Sequence, residues 1–368
     1  MDLSEEYQHA LSAVGVATLT ALGGLEGAAR FLHPPEMPRL RDWLRPYRED
    51  LGKAAAAYRA MAAPLPLAAF HKSFAEGVDL TERALDLFLC TSGPQQAILE
   101  VLASLRTYCR ALEVFYGLHR FPPLSRYFVE PPFHNRLREL DPKPPEGVTV
   151  GLHHGGGERG ADSRGGFCLY IPESYAAESE LSLVIALHGG SGSGRDFLWS
   201  WLREARGRRF ALLAPTAKGS TWSLGGRDVD SSALRAMIEF VASRWMIDRA
   251  HVLLTGLSDG ATYALLEGLS EGAPYTHIAP VSGVLAPGNL VNGNLARARG
   301  RDIYLVHGRL DWMFPAETAE TARDQLVEAG ARLEFRLLED LSHTYPREEN
   351  DRILRWFDPR LALPSAVC

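Results

Sequence analysis

The chain changes its hydrophobic rhythm once. Over residues 4–119 apolar side chains recur at intervals of three and four, most clearly at Ile98, Val101, Leu102, Leu105, Tyr108 and Leu112, the spacing of one face of an α-helix. Such a stripe is expected to be core. Breakers at Pro34, Pro35, Pro64, Pro66 and the Gly93-Pro94 pair divide the stretch into about four or five helices, so residues 1–120 read as an all-α N-terminal domain. Prolines 122, 123, 131, 132, 142, 144 and 145 then crowd residues 121–145, where neither helix nor central strand persists easily. That stretch is read as a proline-rich linker. Beyond it, short β-prone runs at 148–152, 167–171, 181–187, 210–213, 251–255, 278–281, 303–306 and 333–338 alternate with helical patterns. The alternation predicts an α/β domain over 146–368, with a mostly parallel sheet covered by helices on both faces. The run at 278–281 is the least strand-like because Pro280 sits inside it.

One of these runs leads into a chemical signal. His251-Val252-Leu253-Leu254-Thr255 reads as a buried strand, Gly256-Leu257-Ser258-Asp259-Gly260 follows directly, and a helical pattern starts at Ala261. This is G-x-S-x-G in the strand-turn-helix setting of a nucleophile elbow. The serine of such a turn adopts a strained conformation, and side chains at the two glycine positions would crowd the neighbouring strand and helix. Ser258 is therefore the candidate nucleophile, placed at a helix N-terminus where developing negative charge is favoured.

A second run, ending at Leu187, opens into His188-Gly189-Gly190-Ser191-Gly192-Ser193-Gly194, where backbone N–H groups can approach a substrate oxygen closely. The amides of Gly190 and of Asp259, the residue after the nucleophile, are the candidate oxyanion donors; the Asp259 side chain is incidental to that role. A phosphate loop is the competing reading, but the Lys and Ser/Thr ending of a Walker A sequence is missing. The similar run His153-His154-Gly155-Gly156-Gly157 lies too early in the chain for this role and reads as a hairpin or loop, with metal binding by the two histidines a weak alternative.

After the run at 303–306 comes His307-Gly308-Arg309-Leu310-Asp311, which places a carboxylate past a strand's C-terminal end. Asp311 is the candidate acid that orients a catalytic imidazole. The last strand leads into Glu339-Asp340-Leu341-Ser342-His343, and His343 is the candidate base, with His307 its rival. The chain order serine, acid, histidine fits this assignment. Ser191, Ser193 and Ser342 are nearby hydroxyls without an elbow. Trp199, Trp201, Trp222 and Trp312 fall near these motifs; Trp222 and Trp312 are candidates for lining a substrate pocket, a role that plain packing rivals.

Taken together, Leu187-His188-Gly189-Gly190, Gly256-Leu257-Ser258-Asp259-Gly260, His307-Gly308-Arg309-Leu310-Asp311 and Ser342-His343-Thr344-Tyr345-Pro346 resemble the esterases of the α/β-hydrolase superfamily. The nearest branch looks like the phospholipase/carboxylesterase and polyhydroxybutyrate-depolymerase-like esterases, and the segment 164–172 looks like one of their early strands. The resemblance covers roughly the last 220 residues and implies an α/β-hydrolase fold, a serine esterase and no cofactor. The helical region ahead of it is a departure from the simple forms of those enzymes. A thioesterase or peptidase would use the same residues, and a regulatory or interaction protein carrying a weakly active hydrolase domain is the alternative from another class.

Charge and composition narrow the partners. A formal charge of −6 without a Lys/Arg cluster gives no footprint for nucleic acid, so a small ester is the expected partner. Cys90, Cys109, Cys168 and Cys368 show no metal or redox spacing, so no metal is expected, and a Cys90–Cys109 bridge is the main alternative to reduced thiols. The opening Met1-Asp2-Leu3-Ser4-Glu5-Glu6 lacks the positive start of a signal peptide. No uninterrupted apolar run approaches the ~18 residues of a membrane span. A cytoplasmic location is expected, with residues 11–22 the one weak anchor candidate.

Overall fold

The first helix starts where the sequence supplies a cap: the Ser4 hydroxyl accepts the Tyr7 N–H at 3.2 Å, satisfying one of the amides a helix N-terminus leaves unpaired. The computed structural model describes residues 4–91, 94–143, 146–156 and 163–364; Gly93, Pro144, Pro145, Gly157 and Cys368 lie outside them. The chain divides into two compact units, Met1–Phe128 and Val129–Cys368.

The first unit holds α1 (Glu5–Arg30), α2 (Met37–Arg59), α3 (Ala68–Leu89), α4 (Pro94–Tyr116) and the short α5 (Pro122–Tyr127). Helices adjacent in sequence pack together, α1 on α2, α2 on α3 and α3 on α4. Ser12, Gly15 and Thr18 lie inside α1 without breaking it, and Thr18 donates its hydroxyl to the Val14 carbonyl at 2.6 Å within the helix. Among the described residues α1 is the one helix long and apolar enough, by length and composition, to cross a membrane, and it contains residues 11–22; its Tyr7, Val14, Leu22 and Leu25 are buried.

The α4 stripe turns out differently from the pattern read in the sequence. Val101, Tyr108 and Leu112 are buried, but Ile98 and Leu102 are 53% and 41% exposed. Ser104 takes the inward column instead, its hydroxyl donating to the Ala84 carbonyl of α3 at 2.6 Å. Neighbouring columns of a helix differ by one residue in register, and the partner helix selects between them. Cys90 and Cys109 are not bridged.

The proline-rich stretch is also more ordered than an open linker. Pro122 and Pro123 open α5, where a missing N–H costs nothing. In the second unit, Pro131–Phe133 makes a 3₁₀ turn and α6 spans Leu137–Leu140, and Val129, Phe133 and Leu140 form a small apolar cluster with Leu137 and Leu363. Two buried arginines fasten this segment: Arg206 pairs with Asp141, and Arg208 reaches Glu130 at 2.8 Å and Asp351 at 2.9 Å. Glu130→Ala is expected to lower stability by about 2 kcal/mol, since it strips the buried Arg208 of one carboxylate while Asp351 remains; urea unfolding at neutral pH measures the loss.

The sheet of this unit contains β1 (Gly151–Gly155), β2 (Phe167–Ile171), β3 (Leu181–Leu187), β4 (Ala211–Pro215), β5 (Ile247–Leu257), β6 (His277–Val281), β7 (Asp302–Gly308) and β8 (Arg332–Leu338). Their spatial order is β1-β2-β4-β3-β5-β6-β7-β8. Strand β2 runs antiparallel to both neighbours and all later pairings are parallel. The inner strands β2, β3 and β4 are buried along their whole length, as helices on both faces require. The helices are α7 (Gly194–Phe197), α8 (Leu202–Arg208), α9 (Ser231–Ala242), α10 (Asp259–Gly268), α11 (Pro287–Val291), α12 (Ala316–Glu328) and α13 (Asn350–Phe357). Pro280 does sit in a central strand. Strand β6 registers with β7 at His277, Ile278 and Val281 but not at Ala279 or Pro280, so the ladder skips the residue that has no N–H to give. The His153-His154-Gly155 run forms most of β1, the edge arm of a hairpin with β2.

Candidate active site

Strands β3, β5, β7 and β8 end on the same edge of the sheet, because parallel strands share their carboxyl end, and the chemistry-bearing loops follow those ends. At the end of β5 the chain turns sharply. Ser258 has φ 57° and ψ −119°, and α10 begins at the next residue. A Cβ on Gly256 would lie 2.6 Å from the Gly260 carbonyl carbon, and one on Gly260 would lie 2.5 Å from the carbonyl oxygens of both Leu187 and His188. Only glycine lets the helix start this close to β3. The turn is held by the Ser258 N–H, which donates to the Val281 carbonyl at 3.0 Å, and by the Thr262 N–H, which donates to the Ser258 carbonyl at 2.9 Å.

Three side chains from different loops meet here. His343 Nε2 lies 2.8 Å from Ser258 Oγ, and His343 Nδ1 lies 2.8 Å from Asp311 Oδ2. A carboxylate only accepts, so the proton sits on Nδ1 and the Nε2 lone pair faces the serine hydroxyl. Asp311 is itself fixed: its Oδ1 accepts the Met313 N–H at 2.9 Å and the Phe314 N–H at 2.8 Å, leaving Oδ2 for the imidazole. Burial pushes the Asp311 carboxyl up, but the His343 hydrogen bond and the Phe314 amide outweigh it and hold the group below the usual carboxylate range. A lowered folded-state value means that the pair's stabilisation is present above the unfolded pKa of roughly 4 and is lost as pH falls through the folded value. The stability difference between wild type and Asp311→Asn is therefore expected to shrink below about pH 4, as read by urea unfolding across pH.

His307, the rival base, is fully buried and points its Nε2 at the Phe314 carbonyl, 2.8 Å away, with Asp311 Oδ2 at 3.7 Å. It braces the turn that carries Asp311. Among the other hydroxyls, Ser193 caps α7 through the Asp196 N–H, and the Ser191 N–H donates to the Ser220 carbonyl at 3.0 Å.

Gly190 and Asp259 adjoin, since a Cβ on Gly190 would lie 2.8 Å from Asp259 Oδ2. The Asp259 amide is in the first turn of α10, where helix geometry supplies no intrahelical acceptor. Its side chain has a separate partner: the Thr221 hydroxyl donates to Asp259 Oδ2 at 2.5 Å, tying the elbow to the loop after β4. Sequence reading missed Thr221, because nothing local to Ser220-Thr221-Trp222 marks a contact 38 positions away. It also missed Asp230, whose carboxylate gathers the Lys218 N–H, the Ser223 N–H and the Ser223 hydroxyl and so orders that loop.

The two tryptophans part ways. Trp222 is buried, stacks on Tyr263 at 5.4 Å and donates its Nε1–H to the His188 carbonyl at 2.8 Å, so it is a packing residue of the loop rather than an open wall. Trp312 is 51% exposed beside Asp311, between the similarly exposed Leu310 and Met313.

Residues 230–357, which include Ser258, Asp311 and His343, match the family described as Phospholipase/Carboxylesterase. No curated protein sequence matches the chain. Among solved structures it is similar to a thermostable esterase, with 20% identity over 47% of this chain and 50% of that one and a TM-score of 0.41; the chain thus spans half of that protein's length. It is also similar to an acetyl xylan esterase from Aspergillus awamori, with 14% identity over 56% of this chain and 98% of that one and a TM-score of 0.45. For esterase PE8 the identity is 20% over 57% of this chain and 100% of that one, with a TM-score of 0.41. The resemblance read from the motifs holds in the order and direction of the strands and in the family match: the second unit has the mostly parallel sheet of an α/β-hydrolase-type fold, and its residues 230–357 are similar to the Phospholipase/Carboxylesterase family.

Proposed function

We propose that the chain hydrolyses a carboxylic ester of a small molecule through an acyl-enzyme on Ser258. The observation that carries this reading is the pair of 2.8 Å contacts linking Ser258 Oγ to His343 and His343 to Asp311. Ser258 Oγ bonds to the ester carbonyl carbon as its proton passes to His343 Nε2, and the tetrahedral oxyanion is held by the amides of Gly190 and Asp259. Collapse breaks the bond to the alcohol oxygen, which takes the proton from His343 and leaves. Water then attacks the acyl-enzyme, again giving a proton to His343, and Ser258 departs with it. Asp311 fixes the imidazole tautomer and stabilises the imidazolium. The exposed apolar surface of Leu310, Trp312 and Met313 beside the acid favours a substrate with an apolar acyl or alcohol part.

The test is direct. The full chain is expected to hydrolyse p-nitrophenyl acetate or butyrate and to take one fluorophosphonate adduct, located by mass spectrometry on the peptide containing Ser258. An adduct elsewhere, or neither labelling nor turnover, sinks the reading. Thioesters and anilides assayed beside the oxygen esters decide whether the same residues serve a thioesterase or a peptidase.

A further inference from the structure

Behind the oxyanion loop lies a histidine that the reaction as drawn does not use. His188, 1% exposed, is the first residue past β3. Its Nε2 accepts the Ala217 N–H at 3.1 Å, and a backbone amide can only donate, so the ring proton is on Nδ1. Nδ1 lies 2.6 Å from the Gly189 carbonyl oxygen, which can only accept. One neutral tautomer satisfies both partners; a cationic ring would turn an N–H toward the N–H of Ala217. The ring also rests against Trp222, 4.9 Å away between centroids, whose Nε1–H donates to the His188 carbonyl at 2.8 Å.

The consequence falls on the next peptide. The Gly189 carbonyl takes a second donor, the Gly192 N–H at 3.0 Å, so it is held on the His188 side. In a trans peptide the carbonyl and the following N–H point in opposite directions, and no cis peptide occurs among the described residues. The Gly190 N–H therefore leaves on the far side from His188. Gly189 faces the elbow, since a Cβ on it would lie 3.5 Å from Ser258 Cβ. A peptide between two glycines is the kind most free to rotate, so this one needs an external restraint to stay turned one way.

We propose that His188 is a positioning residue that locks the Gly189–Gly190 peptide so that the Gly190 N–H faces the oxyanion formed at Ser258. The proposal rests on the acyl-transfer reading above. The required neutral form is supplied by burial, which lowers the His188 pKa to about 4, with Arg164 acting in the same direction against the Gly189 hydrogen bond and the charges of Asp196 and Asp230.

Two substitutions in the full chain separate the lock from general packing. His188→Asn keeps a side-chain N–H near the place of Nδ1, whereas His188→Gln keeps an acceptor for Ala217 and loses the donor to Gly189. The glutamine variant is expected to lose roughly 10- to 100-fold in kcat on p-nitrophenyl butyrate with KM within about twofold, and the asparagine variant to stay within about fivefold of wild type. Equal losses in both, or no loss with glutamine, overturn the proposal. Should the glutamine variant fail to fold, nitrogen-15 shifts of histidine-labelled wild type decide. A neutral ring protonated on Nδ1 between pH 6 and 8 is required, and one protonated on Nε2 or cationic overturns the lock. Wild type that neither labels nor turns over removes the acyl-transfer reading and this inference together, while active wild type with an unaffected glutamine variant removes the inference alone.

Discussion

Alanine at Ser258 is expected to cut kcat toward p-nitrophenyl esters by roughly a millionfold, abolish fluorophosphonate labelling and leave the protein folded. The effect is large because in the proposed reaction the hydroxyl is the atom that bonds to the acyl group, and no neighbouring serine among the described residues stands in an elbow to replace it. Stability should move by less than about 1 kcal/mol, since Ser258 Oγ gives up a single hydrogen bond to His343 and its backbone is held by the Val281 and Thr262 contacts, which alanine retains. Serine and histidine act as a unit, so Ser258→Ala combined with His343→Ala should be no slower than either alone. Steady-state kinetics with a thermal melt checks both parts. Activity above about 1% of wild type in a folded Ser258→Ala protein would mean that another group does the chemistry.

Gly260→Ala is the second large effect, and it acts through the fold. The added methyl would stand 2.5 Å from two backbone oxygens, those of Leu187 and His188, so relief requires moving the end of β3 away from α10. A cost of about 3 kcal/mol or more is expected, lowering Tm by roughly 6–12 °C for a unit of this size. Any protein that folds should also be slow, because the same shift carries the oxyanion loop away from Ser258. Gly15→Ala is the control. A Cβ there meets nothing within 4 Å, and alanine in α1 should be neutral or stabilising by up to about 1 kcal/mol. Comparable losses in the two variants would mean that the close approach at the elbow is not what sets the cost.

Much of the candidate site is legible in the sequence, because its signals are local. A strand, a Gly-x-Ser-x-Gly turn and a helix are written in consecutive residues, and Asp311 and His343 follow strands in the order that a wound sheet requires. What escaped the sequence depends on partners far away along the chain. Which column of α4 turns inward is decided by α3, so Ile98 and Leu102 face solvent although their spacing is that of a core stripe. The extent of β1 is set by its hairpin with β2, which begins at Gly151 opposite Ile171, and the run thus sits three residues later than its β-prone start at Val148. Trp222 looked like a pocket wall because it lies near the motifs in sequence, but its indole N–H already belongs to the His188 carbonyl. The prolines of residues 121–145 signal a break in regular structure; they do not signal that Arg206 and Arg208 would fasten Asp141 and Glu130 within the second unit.

The interleaving of strands has a consequence for how the molecule comes into being. Each long helix of the first unit finds its partner next in sequence, so that unit is built from short-range closures. The edge that carries the candidate site is assembled otherwise: β4 must be inserted between β2 and β3, and the loops bearing His188, Ser258, Asp311 and His343 come together only when β3, β5, β7 and β8 lie in their final order. Long closures are slow compared with helix pairing. During refolding the chain should therefore regain most of its helicity while still inert, and the proposed hydrolysis should return only as the sheet is completed.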